Sequence, residues 1–336
     1  MKTLLITGGS GYVGTRLINK LLKETDMRII NYDISLFGDS HLPKNPKFVY
    51  YKNDITDITN FQKAIVKNNV DIVLHLACIS NDPTYELNSN LSKKINYDCF
   101  ESLVKISKKN GVKKFIYAST CSVYGISDSP NVVETDELKP ITDYNKYKGL
   151  CEPILIKYLD DSFVGIIIRP ATVCGYSEKM RFDLTVNILT NFAYNKGFIR
   201  VFGGTQSRPN LHIDDMCELY KIIILNNIKK FNGEIFNAGT ENLKIIDVAE
   251  KVKNILEKRY DKTIDIKIEE SSDIRSYMIN SDKIKKTLGF NFNKGVNEAI
   301  LDLCDAFDKN LIKDSFSDQW SNIKVLSEMQ KNGKLI

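Results

Sequence analysis

Four of the seven residues from Gly8 to Gly14 are glycine, in the run Gly8-Gly9-Ser10-Gly11-Tyr12-Val13-Gly14 directly after the apolar stretch Lys2–Thr7. A strand that ends in such a run turns tightly into the next element, and Val13–Glu24 carries the apolar spacing of a helix. Strand, glycine turn and helix together let the main chain approach a pyrophosphate seated on the free N–H groups of the helix start. The run fits Gly-x-Gly-x-x-Gly from Gly9 and Gly-x-x-Gly-x-x-Gly from Gly8. Asp33 lies nineteen residues beyond Gly14, at the end of the next strand-like run. A carboxylate there accepts bonds from both adenosine ribose hydroxyls and repels a 2′-phosphate, so NAD is expected over NADP. Asp54-Ile55, after the third strand, is expected to meet the adenine. The bland alternative is a glycine-rich turn and a solvated aspartate.

The first half of the chain repeats this rhythm. Strand-like runs at Lys2–Thr7, Arg28–Asp33, Phe48–Lys52, Asp71–Ala77, Lys113–Ser119 and Phe163–Arg169 alternate with helical patterns at Val13–Glu24, Ile58–Asn68, Asn90–Asn110 and Asp143–Leu159. The alternation predicts an α/β fold, a Rossmann-type doubly wound parallel sheet covered on both faces. Past Arg169-Pro170 the rhythm breaks into a helix near Asp183–Asn195, a strand near Ile199–Phe202, and helices Asp214–Leu225, Ile246–Arg259 and Val296–Lys309. The expected organisation is a cofactor domain over residues 1–170, with segments near 210–240 returning to it. A smaller mixed C-terminal substrate lobe is expected over 171–310, and then a tail, 311–336, whose Trp320 belongs to no motif.

Composition narrows the function classes. With 43% apolar and 26% charged residues in 336, the chain can bury a full core. No apolar run approaches the ~20 residues of a membrane-spanning helix. Forty-seven basic against 42 acidic residues leave a net charge of +5 that is not clustered, so neither nucleic acid nor a membrane is expected as a partner. Seven cysteines without a Cys-x-x-Cys pair point to reduced thiols, no metal site and a cytoplasmic protein.

The chain holds one Tyr-x-x-x-Lys pair, Tyr144 and Lys148, on a predicted helix where both side chains share a face. It comes after Ser119-Thr120-Cys121-Ser122-Val123-Tyr124-Gly125 at the end of the fifth strand, and strand C-terminal ends line the ligand crevice of a doubly wound sheet. A free phenol titrates near pH ~10 and needs help to act as a base; a lysine one turn away supplies it.

These pieces occur in the order of a known family. Thr7-Gly8-x-x-Gly11-x-x-Gly14, His75-Leu76-Ala77, Asn96, Ser119-Thr120, Val123-Tyr124-Gly125, Tyr144-x-x-x-Lys148 and Arg169-Pro170 resemble the extended short-chain dehydrogenases/reductases, in the NAD-dependent nucleotide-sugar epimerase/dehydratase branch. The match continues through Phe202-Gly203-Gly204-x-x-x-Arg208, His212-Ile213-Asp214-Asp215 and Asp273-Ile274-Arg275, covering about residues 1–305.

The resemblance implies Tyr144 as general base toward a sugar hydroxyl, Lys148 holding the nicotinamide ribose and lowering the phenol, and Thr120 bonding the reacting oxygen. It implies NAD held by Gly8, Gly11, Tyr12, Val13, Gly14, Asp33, Asp54, Ile55, Leu76, Ala77 and Asn96, together with Tyr144 and Lys148. On the substrate side it implies Arg208 and Arg275 clamping the diphosphate and Asn187 meeting the phosphates. Arg200 and Val201 fall where the base is held, largely through the main chain. Ser80-Asn81-Asp82 and Thr172 face the sugar. Arg169 is read as a strand-end anchor, Arg181 as suited to either role, and His75 and His212 as structural.

Two departures narrow the reaction. Where 4,6-dehydratases of the branch carry Asp and Glu after the catalytic Thr, this chain has Cys121 and Ser122, which argues against dehydration. The cysteine that 3,5-epimerases place before the apolar-Tyr pair is Ser122 here. Oxidation of one hydroxyl remains, most often at C4, as a 4-dehydrogenase or 4-epimerase. The alternatives are a 4-ketosugar nucleotide reductase and an NAD(H)-binding redox sensor without turnover. The stretch Arg169–Ser177 with Met180–Leu184 resembles a sub-branch of bacterial surface-polysaccharide pathways that includes GDP-heptose 4-dehydrogenases, favouring a GDP-sugar. Helices Asn90–Asn110 and Asp143–Leu159 resemble those of the family's dimer interface, so a homodimer is expected.

Overall fold

Successive strand residues divide between two apolar layers, as the two-residue period of a strand requires. Leu4 and Ile6 enter one buried cluster and Leu5 the other; Ile72 and Leu74 oppose Val73; Ile166 and Ile168 oppose Ile167. In the computed structural model, which describes residues 1–127, 129–227, 229–270 and 275–333, these residues form the centre of one large sheet. Its strands are β1 (Thr3–Thr7), β2 (Arg28–Asp33), β3 (Phe48–Lys52), β4 (Ile72–His75), β5 (Lys114–Ala118) and β6 (Val164–Pro170). Next along the chain come β7 (Thr172–Cys174), β8 (Phe198–Phe202), β9 (Ser207–His212), β10 (Ile235–Ala238), β11 (Glu241–Lys244) and β12 (Asp265–Glu269).

Among the described residues the large sheet has seven strands in the order β10-β6-β5-β4-β1-β2-β3, every pair parallel. The strand order reverses between β1 and β4, and a crevice opens there beyond the strand C-termini. Helices Tyr12–Glu24 and Ile213–Leu225 cover one face, and Ile58–Asn68, Phe100–Lys109 and Asp143–Tyr158 the other. The Rossmann-type architecture is as expected. A third buried cluster joins β8 to helices Thr185–Lys196, Ile245–Tyr260 and Val296–Asp308. Two smaller sheets, β11-β9-β7 and β12-β8, complete this region. No helix among the described residues is long and apolar enough to cross a membrane.

The predicted single helix Asn90–Asn110 is broken. It runs as Ser89–Lys93, a wider π-type turn Lys94–Asp98, and Phe100–Lys109. The wide turn carries Asn96 inward, where its Oδ1 accepts from the Ile79 N–H at 2.8 Å and its Nδ2 donates to the Ile79 carbonyl at 2.9 Å. Elements with no counterpart in the reading of the sequence include the short helix Asp82–Glu86, the strands β7 and β9 to β12, and the helices Asp282–Leu288 and Asn322–Lys331. Asp273 and Ile274 of the Asp273-Ile274-Arg275 motif, and residues 334–336 of the tail, lie outside the described residues.

A buried charge pair ties the helix Asp143–Tyr158 to the sheet. Arg169 at the end of β6 donates to Glu152 through Nε at 3.0 Å and Nη2 at 2.6 Å, and Glu152 also accepts from the Ser119 hydroxyl at 2.6 Å. Both charged side chains are 3% exposed. Removing one partner leaves the other charge buried and uncompensated. Glu152→Ala is therefore expected to destabilise the fold by about 3–5 kcal/mol, read as a lowered midpoint in urea unfolding followed by circular dichroism.

Candidate active site

The crevice at the strand ends widens into a cavity of about 570 Å³. At its floor β1 enters the glycine run, where Gly8 has φ +74° and a Cβ placed on it would lie 2.6 Å from the Ala77 backbone nitrogen. A Cβ on Gly14 would lie 2.5 Å from the Gly9 Cα. The turn therefore closes only with hydrogen at these positions. The helix Tyr12–Glu24 starts at Gly11 with no side-chain cap, so its first N–H groups are presented to an incoming anion. At the end of β2, Asp33 accepts from the Ser10 N–H at 2.9 Å and the Ser35 N–H at 2.6 Å. Burial pushes its carboxyl up, and those two N–H groups pull it back. A cradle that excludes side chains, an uncapped helix start and a carboxylate at the neighbouring strand end fit a dinucleotide. Gly8, Gly11, Tyr12, Val13, Gly14, Asp33, Asp54, Ile55, Leu76 and Ala77 all line the cavity.

Tyr144, Lys148 and Thr120 line the same cavity. The helix carrying the first two starts at Thr142, whose Oγ1 accepts from the Asn145 N–H at 3.4 Å. Lys148 is 3% exposed, donates through Nζ to the Ala118 carbonyl, and stands 4.6 Å from the centre of the Tyr117 ring. Burial is the largest influence on Tyr144 and pushes its phenol well above the usual tyrosine value, with Cys78 and Asp82 acting the same way. The strongest pull toward the phenolate comes from Arg181, followed by the Asn81 backbone N–H. The Lys148 ammonium, one helical turn from Tyr144, is directed at the end of β5. Arg181 is itself held by Asp183, at 3.0 Å and 2.9 Å, and donates to the Ser80 hydroxyl at 3.0 Å. Thr120 uses its hydroxyl locally, accepting from the Ser122 N–H at 3.1 Å and donating to the Ser122 hydroxyl at 3.2 Å.

Of the substrate residues, Ser80, Asn81, Thr172, Arg208 and Arg275 line the cavity. Arg275 pairs with Asp82, which also accepts from the Thr142 hydroxyl, and Arg208 donates to the carbonyl of Arg275. The remaining expected residues are not among those that line the cavity. Asn187 is fully buried behind the glycine turn, where it accepts from the Gly175 N–H at 3.0 Å and donates to the Tyr12 hydroxyl at 3.2 Å and the Arg181 carbonyl at 3.0 Å. Asn96 spends both amide atoms on Ile79 and does not wall the cavity. Along β8, alternation sends Val201 into the core of the smaller region and Arg200 outward, onto Glu269 at 3.0 Å. Neither side chain faces the cavity.

His75 is structural, as expected. Burial pushes it down to about 3, and its Nδ1 lies 2.8 Å from the Thr7 hydroxyl. Cavity residues missed from the sequence include Cys78, Ser122, Tyr277, Asn322 and Leu326. Position next to Ser80 and Arg275 could have flagged Cys78 and Tyr277; nothing local marks Asn322 or Leu326.

The chain is 26% identical over 281 residues to the UDP-glucose 4-epimerase of Lactobacillus helveticus, covering 76% of this chain and 82% of the relative. It is 27% identical over 277 residues to the dTDP-D-glucose 4,6-dehydratase of Dictyostelium discoideum, covering 76% and 62%. The fold matches the Thermotoga maritima UDP-glucose 4-epimerase solved with UDP-glucose, with a TM-score of 0.81, 24% identity, and 92% of this chain and 100% of that one covered. It also matches the Bacillus cereus UDP-glucuronic acid 4-epimerase solved with UDP-glucuronic acid and NAD, with a TM-score of 0.80, 23% identity and coverage of 92% and 99%. The profile of the NAD dependent epimerase/dehydratase family matches residues 4–239, more than half of the chain, and the protein belongs to that family.

Proposed function

We propose that the protein oxidises one hydroxyl of a nucleotide-diphosphate sugar, at C4, as a 4-dehydrogenase or a 4-epimerase. The observation that carries this reading is a single cavity lined by the glycine cradle, by Tyr144 and Lys148 on one helix face, and by Arg208 and Arg275. NAD, when bound, supplies the hydride acceptor for the sugar carbon. Gly8, Gly11, Gly14, Asp33 and Lys148 would hold it, the Asp33 carboxylate being the acceptor available to ribose hydroxyls. Arg208 and Arg275 orient the diphosphate, which places the sugar against Tyr144. The Tyr144 oxygen takes the proton of the sugar hydroxyl, aided by Arg181 and the Asn81 N–H. Thr120 lies beside the reacting oxygen. Cys121 is buried, with its thiol on the Arg169 carbonyl, and Ser122 bonds Tyr277 at 3.2 Å, so neither offers the acid that water elimination needs.

Finer parts of the reading are a GDP-sugar, a homodimer and a cytosolic setting. The Arg169–Leu184 stretch supports the first, while the Lactobacillus and Dictyostelium relatives act on UDP and dTDP sugars. Exposed Leu150 and Ile156 on the helix Asp143–Tyr158 support the second, and seven unpaired thiols the third.

Incubation with GDP-, UDP-, CDP- and dTDP-sugars and analysis by mass spectrometry tests the reaction. A loss of two mass units indicates oxidation, and unchanged mass with altered NMR couplings indicates epimerisation; a gain of two, or no turnover at all, refutes the proposal. Tyr144→Phe is expected to lower kcat by at least ~10²-fold while leaving NAD binding within about two-fold by calorimetry. Arg181→Met removes the cation that favours the phenolate, so the acid limb of the kcat–pH profile is expected to move to higher pH. Asp33→Asn weakens two charge-assisted bonds to the ribose and is expected to raise the Kd for NAD by roughly 10-fold or more, with a smaller loss for NADP.

A further inference from the structure

The C-terminal segment closes one side of the cavity. It is anchored by Lys179, whose Nζ donates to the Gln319 carbonyl at 2.7 Å, and by the Phe182 N–H on the Trp320 carbonyl at 2.8 Å. At the far end, Gln330 donates to the Leu87 carbonyl at 2.7 Å. Between these anchors the helix Asn322–Lys331 presents Asn322 and Leu326 to the cavity, 6% and 2% exposed. Asn322 Nδ2 lies 3.3 Å from the Ser80 hydroxyl, which also receives Arg181 at 3.0 Å. Its Oδ1 is buried with no hydrogen-bond partner. Buried polar atoms are almost always paired, so an amide left half-satisfied on a cavity wall points to a ligand group that completes it.

The position identifies which ligand group. Ser80 adjoins Asn81 and Asp82, and Asp82 accepts from the hydroxyl of Thr142, which opens the helix of Tyr144, and pairs with Arg275. Asn322 therefore stands beside the Ser80–Asp82 segment, which borders the helix of Tyr144. We propose that Asn322, delivered by the C-terminal helix, contacts the sugar of the nucleotide sugar and, with Ser80, reads one of its hydroxyl groups. An amide oxygen accepts, so the group read is an O–H donor on the ring. The partner set is neutral, because the Arg181 charge is matched by Asp183. A site built to bond a hydroxyl discriminates against analogues that lack it, because its own polar atoms are then left unpaired. This role for Asn322 rests on the nucleotide-sugar reading of the cavity and adds a specificity residue to it.

Calorimetric titration of NAD-loaded protein with UDP-glucose, dTDP-glucose and GDP-mannose, each against its nucleoside diphosphate, separates the two. Asn322→Ala is expected to raise the Kd of the sugar nucleotide that the wild type binds best by about 10-fold. The Kd values of the diphosphate and of NAD are expected to move less than two-fold, and the melting temperature to hold. Ser80→Ala removes the shared hydroxyl without touching the helix and is expected to act in the same direction, which keeps the test decisive should Asn322→Ala fold poorly. Wild-type-like sugar binding in both variants, or equal losses for sugar nucleotide and diphosphate, or a loss confined to NAD, overturns the role of Asn322 while leaving the nucleotide-sugar reading intact. A wild-type protein that binds no sugar nucleotide more tightly than its diphosphate overturns both.

Discussion

The geometry of the site depends on the buried contact of Arg169 with Glu152. The residues Tyr144, Lys148 and Glu152 recur every four positions along one helix, so they share a face. Glu152 is locked to the ends of two neighbouring strands, to β5 through Ser119 and to β6 through Arg169. Arg169 in turn donates to the Tyr124 hydroxyl at 2.7 Å, beyond the turn that carries Thr120 and Ser122. One carboxylate thus sets the depth and rotation of the helix that bears the base and brings the segment after β5 into register with it. A charge pair at 3% exposure is costly to desolvate, and its return is directional: an apolar pair would fill the space without fixing the angle.

Around this frame the cavity sorts its charges into pairs. Arg181 lies against Asp183 and Arg275 against Asp82, so these cations and carboxylates offset one another. The buried phenol of Tyr144 is held neutral by its surroundings, and the cation that most favours its ionised form is Arg181. Lys148 is fastened to the Ala118 carbonyl at the end of β5.

Much of the fold is legible in local pattern alone. The strands at Arg28–Asp33 and Phe48–Lys52 and the helix Ile58–Asn68 obey local periodicity, and the structure keeps their limits. The glycine run is legible because its constraint is local: main chain packs against main chain where no Cβ fits. The break in the helix through Asn96 is not, because it answers to Ile79, seventeen residues earlier, and helical periodicity carries no trace of that bond. Motif matching places Asn187, Arg200 and Val201 near a ligand, but it carries no record of which way each side chain turns. A register of β8 that buries Val201 necessarily turns Arg200 outward.

The sequence by itself determined the parallel α/β architecture, the dinucleotide cradle and the shared face of Tyr144 and Lys148, because turn chemistry and helical and strand periods are written within a few neighbouring residues. Only the tertiary structure decided that Arg181 pairs with Asp183 and reaches Ser80, which asparagines are consumed as braces, and that Asn322 meets Ser80 across 242 residues of chain. Those outcomes depend on where separate segments converge, and packing between distant elements leaves no local pattern to read.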